Sequence, residues 1–149
     1  MTKSVLSMLA GIVALTGVAL AADTTPSGPS QITAEDGVYT AEQAERGQRA
    51  YERECGTCHG VDLRGGETSI SLMGRDFMQY WDQESLGILY GVIQETMPED
   101  DPGRLSPQQT VDLIAMILSA NRLPTGAEEL QPDPDPLFDV PLTAAGERQ

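Results

Sequence analysis

The stretch that decides the fold is Cys55-Gly56-Thr57-Cys58-His59. Two cysteines separated by two residues and followed directly by a histidine form the attachment signature of a c-type haem. Each thiol can form a thioether bond to a haem vinyl group, and the histidine is then held beneath the ring, where its imidazole can bind the iron. The chain has two cysteines and one histidine, and all three lie in this motif.

Three other interpretations of the motif are weaker. A structural zinc site needs four ligands, usually completed by a second Cys/His pair, and this chain supplies three. A thioredoxin-like dithiol needs alternating strands and helices, which the residues after Cys58 do not predict. A plain disulfide would leave His59 without a role. The motif therefore predicts one covalent haem c, attached through Cys55 and Cys58, with His59 as an axial ligand of the iron.

Residues 1–22 have the pattern of a secretory signal peptide. Lys3 precedes an apolar run over residues 5–20, and residues 19–21 form a small-residue cleavage site. The run is nearly long enough to be an uncleaved membrane anchor, but its glycines and its alanine-rich end favour cleavage. We therefore expect a bacterial periplasmic protein with no membrane span after cleavage, because bacteria attach haem covalently outside the cytoplasm.

The mature chain is strongly acidic. Nine basic residues less Lys3 leave eight, against 23 acidic residues, so the net charge is 8 − 23 = −15 before haem is added. This excludes a nucleic-acid partner, because phosphate binding needs a basic surface. A short chain with few aromatic residues buries a modest core, and a covalently held haem would supply a large apolar centre for it.

Composition divides the chain into segments. Residues 23–39 mix Pro, Ser, Thr and Gly and predict a flexible lead-in. Residues 40–124 carry the periodic structure and predict one domain, since no internal repeat is visible. Residues 125–149 are acidic and proline-rich and predict an extended C-terminal tail.

Two helices are predicted around the motif. The first begins at Thr40, where Gln43 can complete a capping box, and runs to about Glu54. The second begins near Asp82. The apolar residues Leu86, Leu89, Tyr90 and Ile93 recur there at the i, i+3, i+4 and i+7 spacing of a buried helical stripe.

The third predicted helix has the clearest start. Ser106 is its N-cap, Pro107 its first residue, and Gln109 can close a capping box. Asn121 stops it. Residues 61–80 are glycine-rich and predict mostly loop, and no stretch predicts a strand. The predicted fold class is therefore all-α, with three main helices and long loops.

The second axial position of the iron must be filled without another histidine. Four methionines remain after residue 22: Met73, Met78, Met97 and Met116. Met97 is the best candidate, because Pro98 restricts it to an extended conformation that can project a side chain from a loop onto a flat ligand. Met116 lies within the third helix, and the two loop methionines are typical gap fillers. The other methionines and an open sixth position stay as alternatives.

The order of these parts is a helix, Cys-x-x-Cys-His, a loop, a helix, Met97-Pro98 and a final helix. In this order the chain resembles the class I c-type cytochromes over about residues 40–124. The resemblance implies a small cytochrome c fold whose helices pack around one covalently bound haem. It also implies a close crossing of the first and last helices, where Gly47 matches the first. A family proline whose carbonyl accepts the histidine N–H has its counterpart at Ser71.

A narrower resemblance is carried by further residues: Leu63, Gly65, Leu72, Gly74, Phe77, Met97-Pro98, Pro102-Gly103-Arg104-Leu105-Ser106 and Asp112-Leu113-Ile114-Ala115. With these, the chain is similar to small cytochromes, or cytochrome domains, that serve bacterial quinoprotein dehydrogenases. Those enzymes use pyrroloquinoline quinone to oxidise alcohols or sugars. Similar domains occur in terminal oxidase complexes, so the resemblance implies an electron carrier without identifying its partner.

Three side chains are candidates for further haem contacts. Trp81 can donate its indole N–H to a haem propionate or simply pack on the ring. Arg75 and Arg104 can pair with propionates, although solvent-exposed arginines are commoner.

Four carboxylates flank Met97 in sequence, namely Glu95, Glu99, Asp100 and Asp101. They can form an acidic docking rim for a redox partner with a basic patch. The alternative is a solvated surface that serves solubility.

The predicted function follows from the ligands. His59 and Met97 together fill both axial positions and raise the reduction potential. We therefore expect a periplasmic one-electron carrier, not an enzyme, that passes electrons from a dehydrogenase, such as a quinoprotein, to an oxidase or another acceptor. One alternative is a tightly bound haem subunit of a larger dehydrogenase or oxidase complex. The other is a ligand-binding sensor or peroxidase-like enzyme, which would need Met97 to leave the iron.

Overall fold

A computed structural model describes residues 31–143 except 68 and 83. A short 3₁₀ helix (Ala34–Asp36) is followed by α1 (Ala41–Glu54), α2 (Gly56–His59), α3 (Gly74–Trp81), α4 (Leu86–Thr96), α5 (Pro107–Ala120) and α6 (Pro134–Leu137). These residues contain no strand, only an isolated bridge between Ser85 and Pro141. The all-α prediction is confirmed. The predicted signal peptide lies outside the described residues, in which no helix is long and apolar enough to cross a membrane.

The domain is organised around the packing of α1 against α5. Thr40 caps α1 by accepting a hydrogen bond from the Gln43 N–H, and Ser106 and Gln109 form the predicted capping box of α5. The helices cross at Gly47, where an added Cβ would lie 1.9 Å from the Asp112 carbonyl oxygen. A side chain at this position would therefore force the two backbones apart, and the close crossing needs glycine.

The segment predicted to be mostly loop, residues 61–80, contains most of α3 (Gly74–Trp81), so that prediction was wrong over residues 74–80. Phe77 and Trp81 lie four residues apart and are both buried. The first N–H of α3, on Gly74, donates to the Asn121 side-chain oxygen at 2.8 Å. This cap comes from beyond the end of α5, so the local sequence carries no sign of it.

The second predicted helix begins later than expected. Ser85 caps α4 through the Ile88 N–H, and the helix starts at Leu86. Asp82, where the sequence placed the start, instead ends α3. The apolar stripe of α4 was predicted correctly, because Leu86, Leu89, Tyr90 and Ile93 are buried.

The C-terminal segment, predicted to be an extended tail, packs against the domain as far as residue 143. Its three leucines, Leu130, Leu137 and Leu142, are buried. The fully buried Gln43 amide donates to the Leu130 carbonyl and accepts from the Leu130 N–H, both at 2.9 Å. This arrangement ties the segment to α1. The expectation of an extended tail was therefore wrong for residues 125–143.

The described part of the predicted flexible lead-in is also packed against the domain. Ala34 and Tyr39 are buried, and the Tyr39 hydroxyl donates to the Leu123 carbonyl at 2.6 Å. Thr33 caps the 3₁₀ helix. A few apolar residues within these polar stretches hold both ends of the described chain to the core. The average composition of each stretch gave no sign of this packing.

Candidate functional site

A cavity of about 710 Å³ lies between the helices. Its volume is within the roughly 300–1,000 Å³ typical of cofactor pockets. It is bordered by Cys55, Cys58, His59 and Met97. Apolar side chains from α3, α4 and α5 also line it, namely Phe77, Trp81, Leu89, Ile93, Leu113 and Ile117. An apolar chamber with the complete Cys-x-x-Cys-His motif at its wall fits a covalently attached haem.

The two cysteines lie at the junction of α1 and α2. The Cys55 N–H closes α1 by donating to the Tyr51 carbonyl at 2.9 Å, and the Cys58 N–H donates to the Cys55 carbonyl at 3.1 Å. This single turn places both thiols at the same cavity. Burial, assisted by the nearby Glu54 carboxylate, raises the pKa of the Cys55 thiol to about 11. The thiol is therefore protonated at neutral pH before it reacts with a vinyl group.

His59 is oriented by a backbone carbonyl. Its Nδ1 donates to the Ile70 carbonyl at 2.9 Å, which leaves Nε2 with a free lone pair for a metal. The carbonyl belongs to Ile70 and not to Ser71, the expected counterpart. Ser71 instead holds the loop itself, since its hydroxyl lies 2.8 Å from the Met73 carbonyl oxygen. The order of residues in the loop did not reveal which carbonyl faces the imidazole.

Of the four methionines in the described residues, Met97 borders the cavity. It follows α4 with φ −121° and ψ 150°, the extended conformation that Pro98 predicts. Met116 is buried in the core on α5, and Met73 and Met78 pack partly buried against that core. The structure thus brings Met97 to the same chamber as His59.

Trp81 presents a buried donor that lacks a partner. Its side chain is 6% exposed and lines the cavity, and its Nε1 has no hydrogen-bond partner among the described residues. A buried indole N–H usually finds an acceptor. A haem propionate would be such an acceptor, so this orphan donor is a second feature that fits haem.

The charged candidates divide into two groups. Arg104 lines the cavity and pairs with Glu54 at 2.7 Å, whereas Arg75 is exposed on the first turn of α3 and does not line it. Glu54 and its neighbour Arg53 also line the cavity, although sequence reasoning did not select them. The sequence feature that could have identified them is their position directly before Cys55.

The four carboxylates around Met97 are all exposed. Glu99 and Asp100 line the cavity, while Glu95 and Asp101 do not. The structure therefore places two of the four at the chamber and leaves the other two on the surrounding surface.

Comparison with known proteins found one family. The family model described as cytochrome C oxidase, cbb3-type, subunit III matches residues 42–117, which is just over half of the chain. The match includes the whole Cys-x-x-Cys-His motif, Met97 and most of α5. Searches of curated proteins and of solved structures found no significant match.

Proposed function

The chain belongs to the family described as cytochrome C oxidase, cbb3-type, subunit III, and from this premise we propose that it is a periplasmic one-electron carrier with His59 and Met97 as its axial iron ligands. Family membership makes it a c-type cytochrome that carries electrons on a covalent haem c. The observation that supports the ligand assignment is that His59 and Met97 border the same cavity.

When bound, the haem supplies an iron that cycles between Fe³⁺ and Fe²⁺ and so holds or releases one electron. His59 donates its Nδ1–H to the Ile70 carbonyl, which fixes the tautomer of the ring. Nε2 is then unprotonated and can bind the iron. The Met97 thioether would be the second protein ligand of the haem iron and would favour its ferrous state. Phe77, Leu113 and other apolar wall residues limit the access of water. With His59 and Met97 both bound to the iron, these two residues would leave no open position for a substrate, which suits electron transfer alone.

The ligand assignment is tested by Met97→Ala. We expect the ferrous protein to bind carbon monoxide readily at neutral pH, which the wild type should do only slowly, and the reduction potential to fall because the thioether is lost. Visible spectroscopy and potentiometric titration measure both effects. Met73→Ala and Met78→Ala are matched controls and should keep the wild-type spectrum, since neither residue lines the cavity. An unchanged spectrum and potential in Met97→Ala would refute the assignment.

We further propose that the partner docks through a basic patch against the acidic surface near Met97. The expected net charge of −15, and the exposed carboxylates Glu99 and Asp100 at the cavity, support this. Charge attraction acts mainly on the association rate and is screened over about 10 Å at 0.1 M salt. Second-order electron-transfer rates with the native partner should therefore fall as ionic strength rises.

Charge reversal at Glu99, Asp100 and Asp101 to lysine should slow the reaction several-fold at low salt and flatten its salt dependence. The matched control reverses Asp133, Asp135 and Asp139, which are near α6 and do not line the cavity, by the same total charge. Equal slowing by both triple variants would show a general charge effect. A wild-type rate that is flat or rises with salt would contradict acidic docking.

For the donor we propose a dehydrogenase, with a pyrroloquinoline quinone enzyme as the specific suggestion, and for the acceptor an oxidase. A second candidate is a haem subunit fixed in an oxidase complex, which the description of the matched family favours. Purification from the native host distinguishes them, because a free carrier elutes alone and a fixed subunit co-elutes with its enzyme. Haem staining of the periplasmic fraction tests the localisation that the signal-peptide pattern supports.

A further inference from the structure

The loop between α4 and α5 carries the proposed iron ligand but has little regular structure. It starts at Met97 and borders the cavity again at Pro98, Glu99, Asp100 and Arg104. Two turn contacts order it internally, from the Asp101 N–H to the Pro98 carbonyl at 3.0 Å and from the Arg104 N–H to the Asp101 carbonyl at 3.4 Å. Segments held by so few backbone hydrogen bonds can open locally at low free-energy cost.

Side chains tie this loop down at two places. Within its own hairpin, Gln94 of α4 donates to the Leu105 carbonyl at 2.7 Å. The second link is between two residues that line the cavity, since the Arg104 guanidinium meets the carboxylate of Glu54 at 2.7 Å. Glu54 is the last residue of α1 and directly precedes Cys55. This second link therefore joins the loop that bears Met97 to the helix end that bears the first haem cysteine.

We propose that the Glu54–Arg104 ion pair is a latch that holds the Met97 loop across the cavity and thereby limits access of external ligands to the iron. The inference rests on the proposed ligation by Met97. Glu54 and Arg104 act as positioning residues, since they act on the iron through the loop.

The burial of this pair distinguishes it from an ordinary surface ion pair. The Glu54 side chain is 18% exposed and that of Arg104 39%, while the Arg64–Asp62 pair is 75% and 60% exposed at 3.5 Å. Arg64 and Asp62 are also two residues apart, so their contact restrains no distant segment. Glu54 and Arg104 are far apart in sequence, and their contact closes a long loop. Exposed pairs contribute little to stability because water and salt screen them, and the Glu54 carboxylate is partly protected from both.

The test is carbon monoxide binding to the ferrous holoprotein at neutral pH. We expect Glu54→Gln and Arg104→Gln each to increase the binding rate about three- to fivefold, the size expected from the loss of one ion pair. The double variant should match either single variant, because both remove the same link. Arg64→Gln is the matched control, since it breaks the exposed Arg64–Asp62 ion pair, does not line the cavity and should leave the rate unchanged.

Reduction potentials separate a latch from a simple field effect. Removing a negative charge at Glu54 and a positive charge at Arg104 shifts the potential electrostatically in opposite directions, and the shifts cancel in the double variant. Carbon monoxide binding that follows this opposing pattern, or that stays at the wild-type rate in all three variants, would overturn the latch. Should a single variant fold poorly, Glu54→Arg combined with Arg104→Glu restores the pair in reverse and should restore slow binding.

Met97→Ala in the same assay separates failure of the latch from failure of the ligand assignment. If Met97→Ala binds carbon monoxide readily while the Glu54 and Arg104 variants bind it at the wild-type rate, the latch is wrong and the ligand assignment stands. If Met97→Ala binds no more than the wild type, the ligand assignment fails and the latch fails with it.

Discussion

Replacing Cys55 and Cys58 together with alanine should give a chain that retains no haem and loses its cooperative fold. Without haem, the apolar walls of the cavity of about 710 Å³ would face water, and the apolar burial that the haem provides to the core would be lost. A domain of this kind has roughly 5–15 kcal/mol of stability in total. Because the walls can partly collapse, we expect a compact but non-cooperative chain, seen as a broad denaturant transition by circular dichroism.

Thr57→Ala is the matched control for this variant, because Thr57 lies between the cysteines but is exposed. It should retain haem through denaturation and extraction with acidic acetone, as the wild type should. Haem that leaves the wild-type protein with the solvent would contradict the covalent attachment. A double-cysteine variant that unfolds as sharply as the wild type would contradict the central role of the haem in the core.

The second large effect is expected at the crossing of α1 and α5. In Gly47→Ala the new Cβ would lie 1.9 Å from the Asp112 carbonyl oxygen and 2.8 Å from the Met116 Cβ. Both helices are long and their backbones cannot yield locally, so they must separate along the crossing. We expect a loss of about 3 kcal/mol or more, at or above the upper end of typical overpacking costs, measured by denaturant unfolding of the holoprotein.

Gly91→Ala provides the control for helix propensity. Gly91 lies within α4, and an added Cβ there meets no atom within 4 Å. Alanine should therefore leave stability unchanged or raise it by up to about 1 kcal/mol. If Gly47→Ala is as stable as the wild type, the two helices do not cross as closely as the structure places them.

The sequence alone determined those features whose cause lies within a few residues. Cys55, Cys58 and His59 are adjacent, so their spacing was enough to predict covalent haem, which the family confirms. The N-caps at Thr40 and Ser106 are local signals and were confirmed. Pro98 restricts the residue before it, so the extended backbone at Met97 was predictable, while its binding to iron stays a prediction.

The tertiary structure decided the features whose partners are distant in the chain. The α3 helix is capped by Asn121, and the C-terminal segment is tied down by the buried Gln43 amide. The pairing of Glu54 with Arg104 also joins residues that are far apart in sequence. Hydrogen bonds and ion pairs of this kind depend on where the folded helices place each group, and neither composition nor periodicity records that placement.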